Sequence, residues 1–171
     1  AWVPPFGFAT GTTIVGRNES SSFRLGLTAS GALRFHPRGG SLQFLDGNAI
    51  IPLNRWTFVA ATYDPATSTT RLFVNGQLDA STTSISGAVG ENGRPIYVGA
   101  DNATIGPIEH FAGMLDEVAI TDGPLSEASI AAVRSARQQT PIKLAPPAQL
   151  LAGFAARELG LGLDEHHRRH E

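Results

Sequence analysis

The side chains best suited to chemistry in this sequence are the carboxylates and amides of one polar segment, residues 101–110. Asp101 and Asn102 are adjacent there, and Glu109 follows near the end of the segment. Calcium binds about six to eight oxygen ligands, which carboxylates, amide side chains and backbone carbonyls of a loop can supply. The alternative is a polar surface loop, in which Asp and Asn are present because they tolerate turn conformations.

A second pair of carboxylates, Asp116 and Glu117, raises the question of glycoside hydrolysis. That reaction needs two carboxylates that flank the scissile bond at a defined separation. Adjacent residues of a strand point to opposite faces, so we expect these two to have a structural role. The sequence also contains no G-x-S-x-G motif and no H-E-x-x-H motif. It therefore predicts a protein that is not an enzyme.

Aromatic and histidine side chains offer weaker candidates. Trp56 could stack against a sugar ring, but it lies in the most apolar predicted strand, so we expect it in the core. Phe6, between proline and glycine, is more suited to exposure. His166 and His170 have the spacing of two metal ligands on one helix face. Their neighbours are charged, which indicates a solvated terminal tail.

The composition favours one globular domain with an appendage. The 171 residues are 42% hydrophobic and 16% charged, with 19 glycines and 11 prolines that suit tight turns between short strands. A net charge of −2 gives no electrostatic basis for binding nucleic acid. Cysteine is absent, which excludes disulfides. No apolar run approaches the roughly 20 residues of a membrane-spanning helix.

The elements that must position these residues are organised around residues 54–78. Both alternate sets of side chains at 56–63 are largely apolar, which predicts a strand buried on both faces. Leu72 and Val74 then alternate with the residues around them, which predicts a second, half-buried strand. Asn75-Gly76 is typical of a type I′ turn, because that turn needs two positive φ angles.

Further short strands surround this hairpin. A turn is predicted at Asp46-Gly47, and a β-bulge at Asp116-Glu117 would restore the alternation in the last strand. Short alternating segments separated by turns are typical of an all-β sandwich. The predicted strands cover residues 12–16, 23–28, 33–35, 42–44, 95–100 and 111–120.

The periodicity becomes helical after residue 125. Ser126 is a suitable N-cap for a helix to residue 136, over which apolar residues recur at helical spacing. Three prolines make residues 137–147 a linker, and residues 148–159 predict a second helix, followed by a charged tail to residue 171. The sequence thus predicts a sandwich over residues 1–136 with a C-terminal helical appendage over 148–171.

Four blocks in order resemble one family over about residues 1–136. They are WTFVAATYD at 56–64, LFVNG at 72–76, IYVGAD at 96–101 and FAGMLDEVAITDGPLS at 111–126. The chain resembles laminin G-like and pentraxin-like domains of the concanavalin A type. This resemblance implies a non-catalytic jelly-roll sandwich that binds glycans or proteins. Family members usually carry further residues before the AWV segment at residues 1–3, so we expect an N-terminal strand to be missing here.

The resemblance also implies a calcium site. Pentraxin-like domains place an acidic and amide run after the IYVG strand, which corresponds to Asp101 and Asn102, with Glu109 as a later acidic ligand. An earlier loop of the family supplies further ligands, and Asn18 and Glu19 lie in the corresponding loop. Ala103 stands where the family has an aspartate, so the match is approximate. We expect calcium to bind weakly.

Three functions stay open. The first is binding of carbohydrate, or adhesion, within a larger secreted or cell-surface protein, assisted by calcium. The second is a module that binds a protein or spaces its neighbours. The third is an accessory part of a carbohydrate-active enzyme. The expected partners are a glycan or protein ligand and other domains of a longer chain, in an extracellular location.

Overall fold

Strands of the computed structural model follow the predicted order. The model describes residues 1–8, 12–18, 21–38, 43–90, 93–103 and 106–136, with backbone alone at 102, 103, 106 and 107. These residues all belong to the first of the chain's two units, Ala1–Gln138. The predicted linker, second helix and charged tail lie outside the described residues. The elements are β1 Trp2–Val3, β2 Thr12–Gly16, β3 Arg24–Leu27, β4 Ala32–His36, β5 Leu45–Ile50, β6 Thr57–Asp64, β7 Thr69–Val74, β8 Gln77–Thr82, β9 Tyr97–Val98, β10 Asp101–Ala103, β11 Gly106–Ile108 and α1 Glu127–Ala136.

Two antiparallel sheets form a sandwich, as predicted. One sheet has four strands in the order β1-β6-β7-β8, and the other has five in the order β5-β4-β3-β2-β9. Strands β10 and β11 form a separate hairpin. The main core lies between the sheets, where Leu25 and Phe35 of one sheet share an apolar cluster with Val59 and Leu72 of the other. This burial is the main stabilising contribution to the fold.

The central hairpin of β6 and β7 is confirmed. The two strands pair from Val59↔Val74 to Asp64↔Thr69, and Asn75 and Gly76 have φ angles of 52° and 77° at the turn that follows. Two positive φ angles define the predicted type I′ turn, and glycine adopts such an angle without steric cost. The backbone N–H of Asn75 also donates to the backbone carbonyl of Phe58 over 2.7 Å, which fixes the turn against the start of β6.

The second face of β7 is buried, contrary to the half-buried prediction. Phe73 is completely buried in a second apolar cluster with Phe58 and Ile130. Ile130 belongs to α1, which begins after Ser126 as predicted: the Ser129 N–H donates to the Ser126 hydroxyl over 3.1 Å. The alternation in β7 could not show that a helix from the end of the sandwich would cover this face.

Two local predictions are wrong. Asp46 and Gly47 lie inside β5 instead of forming a turn, because the Asp79 carboxylate of β8 accepts the N–H groups of Asn48 and Ala49 and keeps that segment extended. Trp56 is 48% exposed instead of buried, because regular strand structure begins only at Thr57.

The predicted strand at 111–120 is also not regular. It approaches β1 through isolated bridges, Trp2↔Asp116 and Pro5↔Gly113. Proline lacks an N–H group, so Pro4 and Pro5, which directly follow β1, interrupt the hydrogen bonding between the N-terminal residues and the 111–120 segment. Glu117 has a φ angle of 53°, so the chain does leave extended geometry where the bulge was predicted. Of the predicted strand at 95–100, only Tyr97–Val98 forms.

One edge of β6 faces an apolar groove. Val59 exchanges backbone hydrogen bonds of 2.9 and 3.1 Å with Ala1. Alternate residues of an antiparallel strand direct their backbone groups to the same side, so Ala61 and Tyr63 point theirs along this same edge. A groove of about 630 Å³ lies there, lined by side chains such as Leu25 and Val118. In the described part of the chain, β6 pairs only with β1 and β7. The predicted absence of an N-terminal strand stays a prediction.

We expect residues 1–171 to self-associate through this edge, because open strand edges pair with other chains. Ala61→Pro should reduce the association, since it removes an N–H group on the open edge, and leave the melting temperature nearly unchanged. Ala60→Pro is the matched control: Ala60 pairs with Phe73, so this variant should melt earlier. Sedimentation velocity across a concentration series gives the measurement. A wild-type chain that stays monomeric throughout would contradict the prediction.

Candidate functional site

The outer face of the five-stranded sheet, the side turned away from the core, is lined by polar residues. Leu25 and Phe35 point into the core, so their strand neighbours point outward. The strand register places Arg24 between Gly16 and His36 in one row across this face. In the next row, Arg34 is directly opposite Asp46.

Asp101 is anchored on this face next to β2. Its carboxylate Oδ1 accepts the backbone N–H of Asn18 over 2.7 Å, and the residue is only 2% exposed. The same oxygen lies 2.6 Å from the position where a Cβ atom on Gly16 would stand. Any side chain at position 16 would therefore collide with the carboxylate, and glycine allows Asp101 to lie directly on the sheet.

Glu109 is fastened to the same face from the other end of the segment. Its carboxylate Oε2 lies 2.7 Å from Nη1 of Arg24, which is 4% exposed. Its backbone carbonyl accepts the N–H of Thr13 over 2.9 Å. Asp101 and Glu109 are thus held against the sheet, the first by a backbone amide and the second by a guanidinium.

The structure brings together part of the predicted calcium-ligand set. Asn18 and Asp101 are in contact, and Glu109 reaches the same face. Asn102 lies in β10, and Glu19 lies outside the described residues. The described residues contain no group of three or more His, Cys, Asp or Glu side chains that could hold a metal ion. Because the two carboxylates already face a backbone amide and a guanidinium, the described residues do not fit a calcium site, and calcium stays a prediction.

One accessible part of the outer face is an ion pair that lies on an aromatic ring. Arg34 donates from Nε and Nη2 to the two oxygens of Asp46, both over 2.6 Å. The Arg34 and Asp46 side chains are 31% and 38% exposed. Arg34 Cζ lies 4.1 Å from the centre of the Phe44 ring, and the His36 ring lies 5.3 Å from it. This arrangement offers hydrogen-bond donors, acceptors and a ring surface side by side.

The sequence analysis did not identify these residues. The alternation in the predicted strands at 23–28 and 33–35 is compatible with Arg24 and Arg34 pointing away from the core. Such a face is ordinarily a solvated one, and the pattern gave no reason to single it out. The signal that could have found the site is the composition of this face, because two arginines and a histidine point away from the core on two adjacent strands.

His36 is uncharged at neutral pH. Burial, followed by the positive charges of Arg24 and Arg34, lowers its pKa from 6.5 to about 4, against the opposing effect of Asp46 and Asp101. The row therefore carries the guanidinium of Arg24 beside a neutral imidazole.

The predicted pair Asp116 and Glu117 makes contacts of its own. The Asp116 carboxylate accepts the N–H of Glu117 over 2.8 Å, and the Asp116 backbone pairs with Trp2. These are structural contacts of the kind the sequence predicted. His166 and His170 lie outside the described residues. None of the helices in the described ranges is long and apolar enough to cross a membrane.

Residues 1–131 match the laminin G-type family model described as the concanavalin A-like lectin/glucanases superfamily. The match covers most of the sequence, so the chain belongs to this superfamily. The predicted resemblance is thereby confirmed. No curated protein sequence matches the chain.

Solved structures with the same fold include carbohydrate-binding domains. A candidate carbohydrate-binding protein from Bacteroides ovatus is 25% identical, with a TM-score of 0.62 over 77% of this chain and 38% of its own length. A SAP-like pentraxin from Limulus polyphemus is 18% identical, with a TM-score of 0.64 over 82% of this chain and 70% of its own. The CBM40 of a Ruminococcus gnavus sialidase, bound to α2,3-sialyllactose, is 18% identical, with a TM-score of 0.63 over 78% and 79%.

The low pKa of His36 predicts that acid destabilises the fold. Its pKa is lower in the folded state (about 4) than the ordinary 6.5, so the unfolded state binds a proton first as pH falls. The contribution of the neutral His36 to stability is fully present above about pH 6.5. The free energy of unfolding should therefore fall by about 2 kcal/mol between pH 7 and pH 5. Urea unfolding at the two pH values measures the loss. His36→Gln should abolish this loss of stability, and His110→Gln, at an exposed histidine, should retain it. If the unfolding free energy falls equally with pH in both variants, the loss belongs to other groups.

Proposed function

We propose that this chain is a non-catalytic carbohydrate-binding module and that the outer face of the five-stranded sheet binds the glycan. The observation that carries the proposal is the partly exposed Arg34–Asp46 pair lying on Phe44. Sugar hydroxyls both donate and accept hydrogen bonds, and the C–H face of a sugar packs against an aromatic ring. The guanidinium, the carboxylate and the ring supply these three contacts within one small area.

The pair is already arranged for recognition before a ligand arrives. Each nitrogen of Arg34 that bonds Asp46 fixes the guanidinium plane, and Phe44 supports that plane from one side. These groups are already ordered and lose little further conformational freedom when a ligand binds, which reduces the entropic cost of binding. Both side chains are partly exposed, so a sugar can reach the pair from solvent.

The comparisons favour a carbohydrate over other ligands. The Bacteroides ovatus protein is described as a candidate carbohydrate-binding protein, and the CBM40 of the sialidase is bound to α2,3-sialyllactose. By analogy, we place this module in a secreted or cell-surface protein with further domains, where it attaches the chain to a glycan. Fold analogy supports this proposal.

Two other functions have some support. The CBM40 belongs to a sialidase, which favours the accessory part of a carbohydrate-active enzyme as the setting of the same binding activity. The exposed apolar side chains Phe6 and Trp56, 54% and 48% exposed, favour a protein-binding module instead.

A glycan array followed by calorimetric titration of the strongest ligand tests the proposal. Arg34→Ala and Phe44→Ala should each weaken binding by about tenfold or more, because each removes a contact group or its support. Arg55→Ala is the matched control, since it removes an exposed arginine elsewhere in the structure and should leave affinity unchanged. Melting temperatures of all variants separate lost contacts from lost folding.

Binding that survives both Arg34→Ala and Phe44→Ala would place the glycan site elsewhere on the sandwich. A complete absence of glycan binding on the array would refute the carbohydrate-binding proposal and favour the protein-binding alternative.

A further inference from the structure

We propose that the guanidinium of Arg24 is the built-in cation of the outer face, so that Asp101 and Glu109 are held on this face without calcium or another divalent ion. The inference concerns how this face is kept in order and is independent of which ligand the face binds. It follows from burial, from the position of two carboxylates and from the charge of the neighbouring side chains.

Burial requires a positive charge at this place. Asp101 is 2% exposed and Arg24 is 4% exposed. An ionised group that is removed from water without a partner is costly, so buried charges in folded proteins are paired or bound to metal. A buried carboxylate on this face therefore needs either a bound cation or a basic side chain close to it.

Arg24 lies where such a charge is needed. Its Nη1 is 2.7 Å from the Glu109 carboxylate. Gly16 is its direct partner on β2, and the Asp101 carboxylate occupies the space where a Gly16 side chain would be. Side chains of directly opposed residues in an antiparallel pair stand about 4.5–5.5 Å apart at Cβ. The Asp101 carboxylate thus lies beside the Arg24 side chain, with Glu109 at its tip.

The neighbouring basic residues do not supply this charge. His36, on the other side of Arg24, has a pKa of about 4 and is neutral at pH 7. Arg34, in the next row, is bound to both oxygens of Asp46. Among the described residues of these two rows, Arg24 is therefore the cation that faces the carboxylates of the 101–109 segment.

A divalent ion would compete with the same contacts. Calcium requires about six to eight oxygen ligands, and here one Asp101 oxygen accepts the Asn18 N–H while Glu109 pairs with Arg24. An ion between these carboxylates would have to displace the guanidinium and would be repelled by it. Removing the Arg24 charge should reverse this preference and make divalent ions stabilising.

Thermal unfolding of the full chain in EDTA and in millimolar calcium chloride tests the proposal. The wild type should melt at the same temperature in both. Arg24→Met should melt roughly 10 °C lower in EDTA, because it removes the buried guanidinium that pairs with the Glu109 carboxylate. Calcium should then raise its melting temperature. Arg34→Met is the matched control: it removes an arginine from the partly exposed pair, and its melting temperature should not respond to calcium.

Two further measurements keep the test decisive if Arg24→Met does not fold. Adding Glu109→Gln to Arg24→Met removes the negative charge that Arg24 pairs with in the wild type and should recover part of the lost stability in EDTA. Calorimetric titration of calcium chloride into the wild type should show no saturable heat. A wild type that binds calcium, and loses that binding in Asp101→Ala, would overturn the proposal, as would an Arg24→Met variant whose melting matches the wild type.

Discussion

Buried charge on the outer face of the five-stranded sheet is the constraint on which the candidate site depends. One face of this sheet is covered by the opposing sheet, where apolar side chains need no specific partner. The other face is covered near β2 and β3 by the segment that carries Asp101 and Glu109, and this burial includes ionised groups. Each of them needs a partner of fixed geometry. The pairing of Glu109 with Arg24, and of Asp101 with the Asn18 amide, therefore determines where that segment lies and leaves Arg34, Asp46 and Phe44 accessible.

The apolar packing determines the surroundings of this face. The hairpin of β6 and β7 is buried on both sides, by the other sheet on one side and by α1 on the other. With that sheet covered, the partly exposed polar pair on the five-stranded sheet is a natural contact area for a ligand. The open edge of β6 shows where the apolar packing is incomplete. The groove beside this edge is largely apolar and lined by core residues, which distinguishes the groove from the polar site and gives it no obvious affinity for a sugar.

Much of the fold could be predicted from the sequence because its signals are local. Asn75-Gly76 specifies its turn through backbone sterics, and alternation of apolar residues specifies which face of a strand meets the core. Trp56 was predicted wrongly because the regular strand begins only at the next residue, Thr57. The turn at Asp46 was predicted wrongly because a distant residue, Asp79 of β8, keeps that segment extended. The same reason explains why the outer face was overlooked. Alternation identifies the face of a strand that points away from the core. Only the folded chain shows that Glu109, which is distant from Arg24 in the sequence, contacts Arg24 on this face.

We propose that a ligand binds at the accessible pair on the five-stranded sheet, and chemical-shift mapping tests this proposal most directly. An ¹⁵N-labelled chain would be titrated with the oligosaccharide that binds best on an array. We predict that the largest shifts occur at Arg34, Phe44, Asp46 and their neighbours on β4 and β5, with the four-stranded sheet unaffected. Shifts confined to Trp56, Phe6 and the edge of β6 would contradict the account.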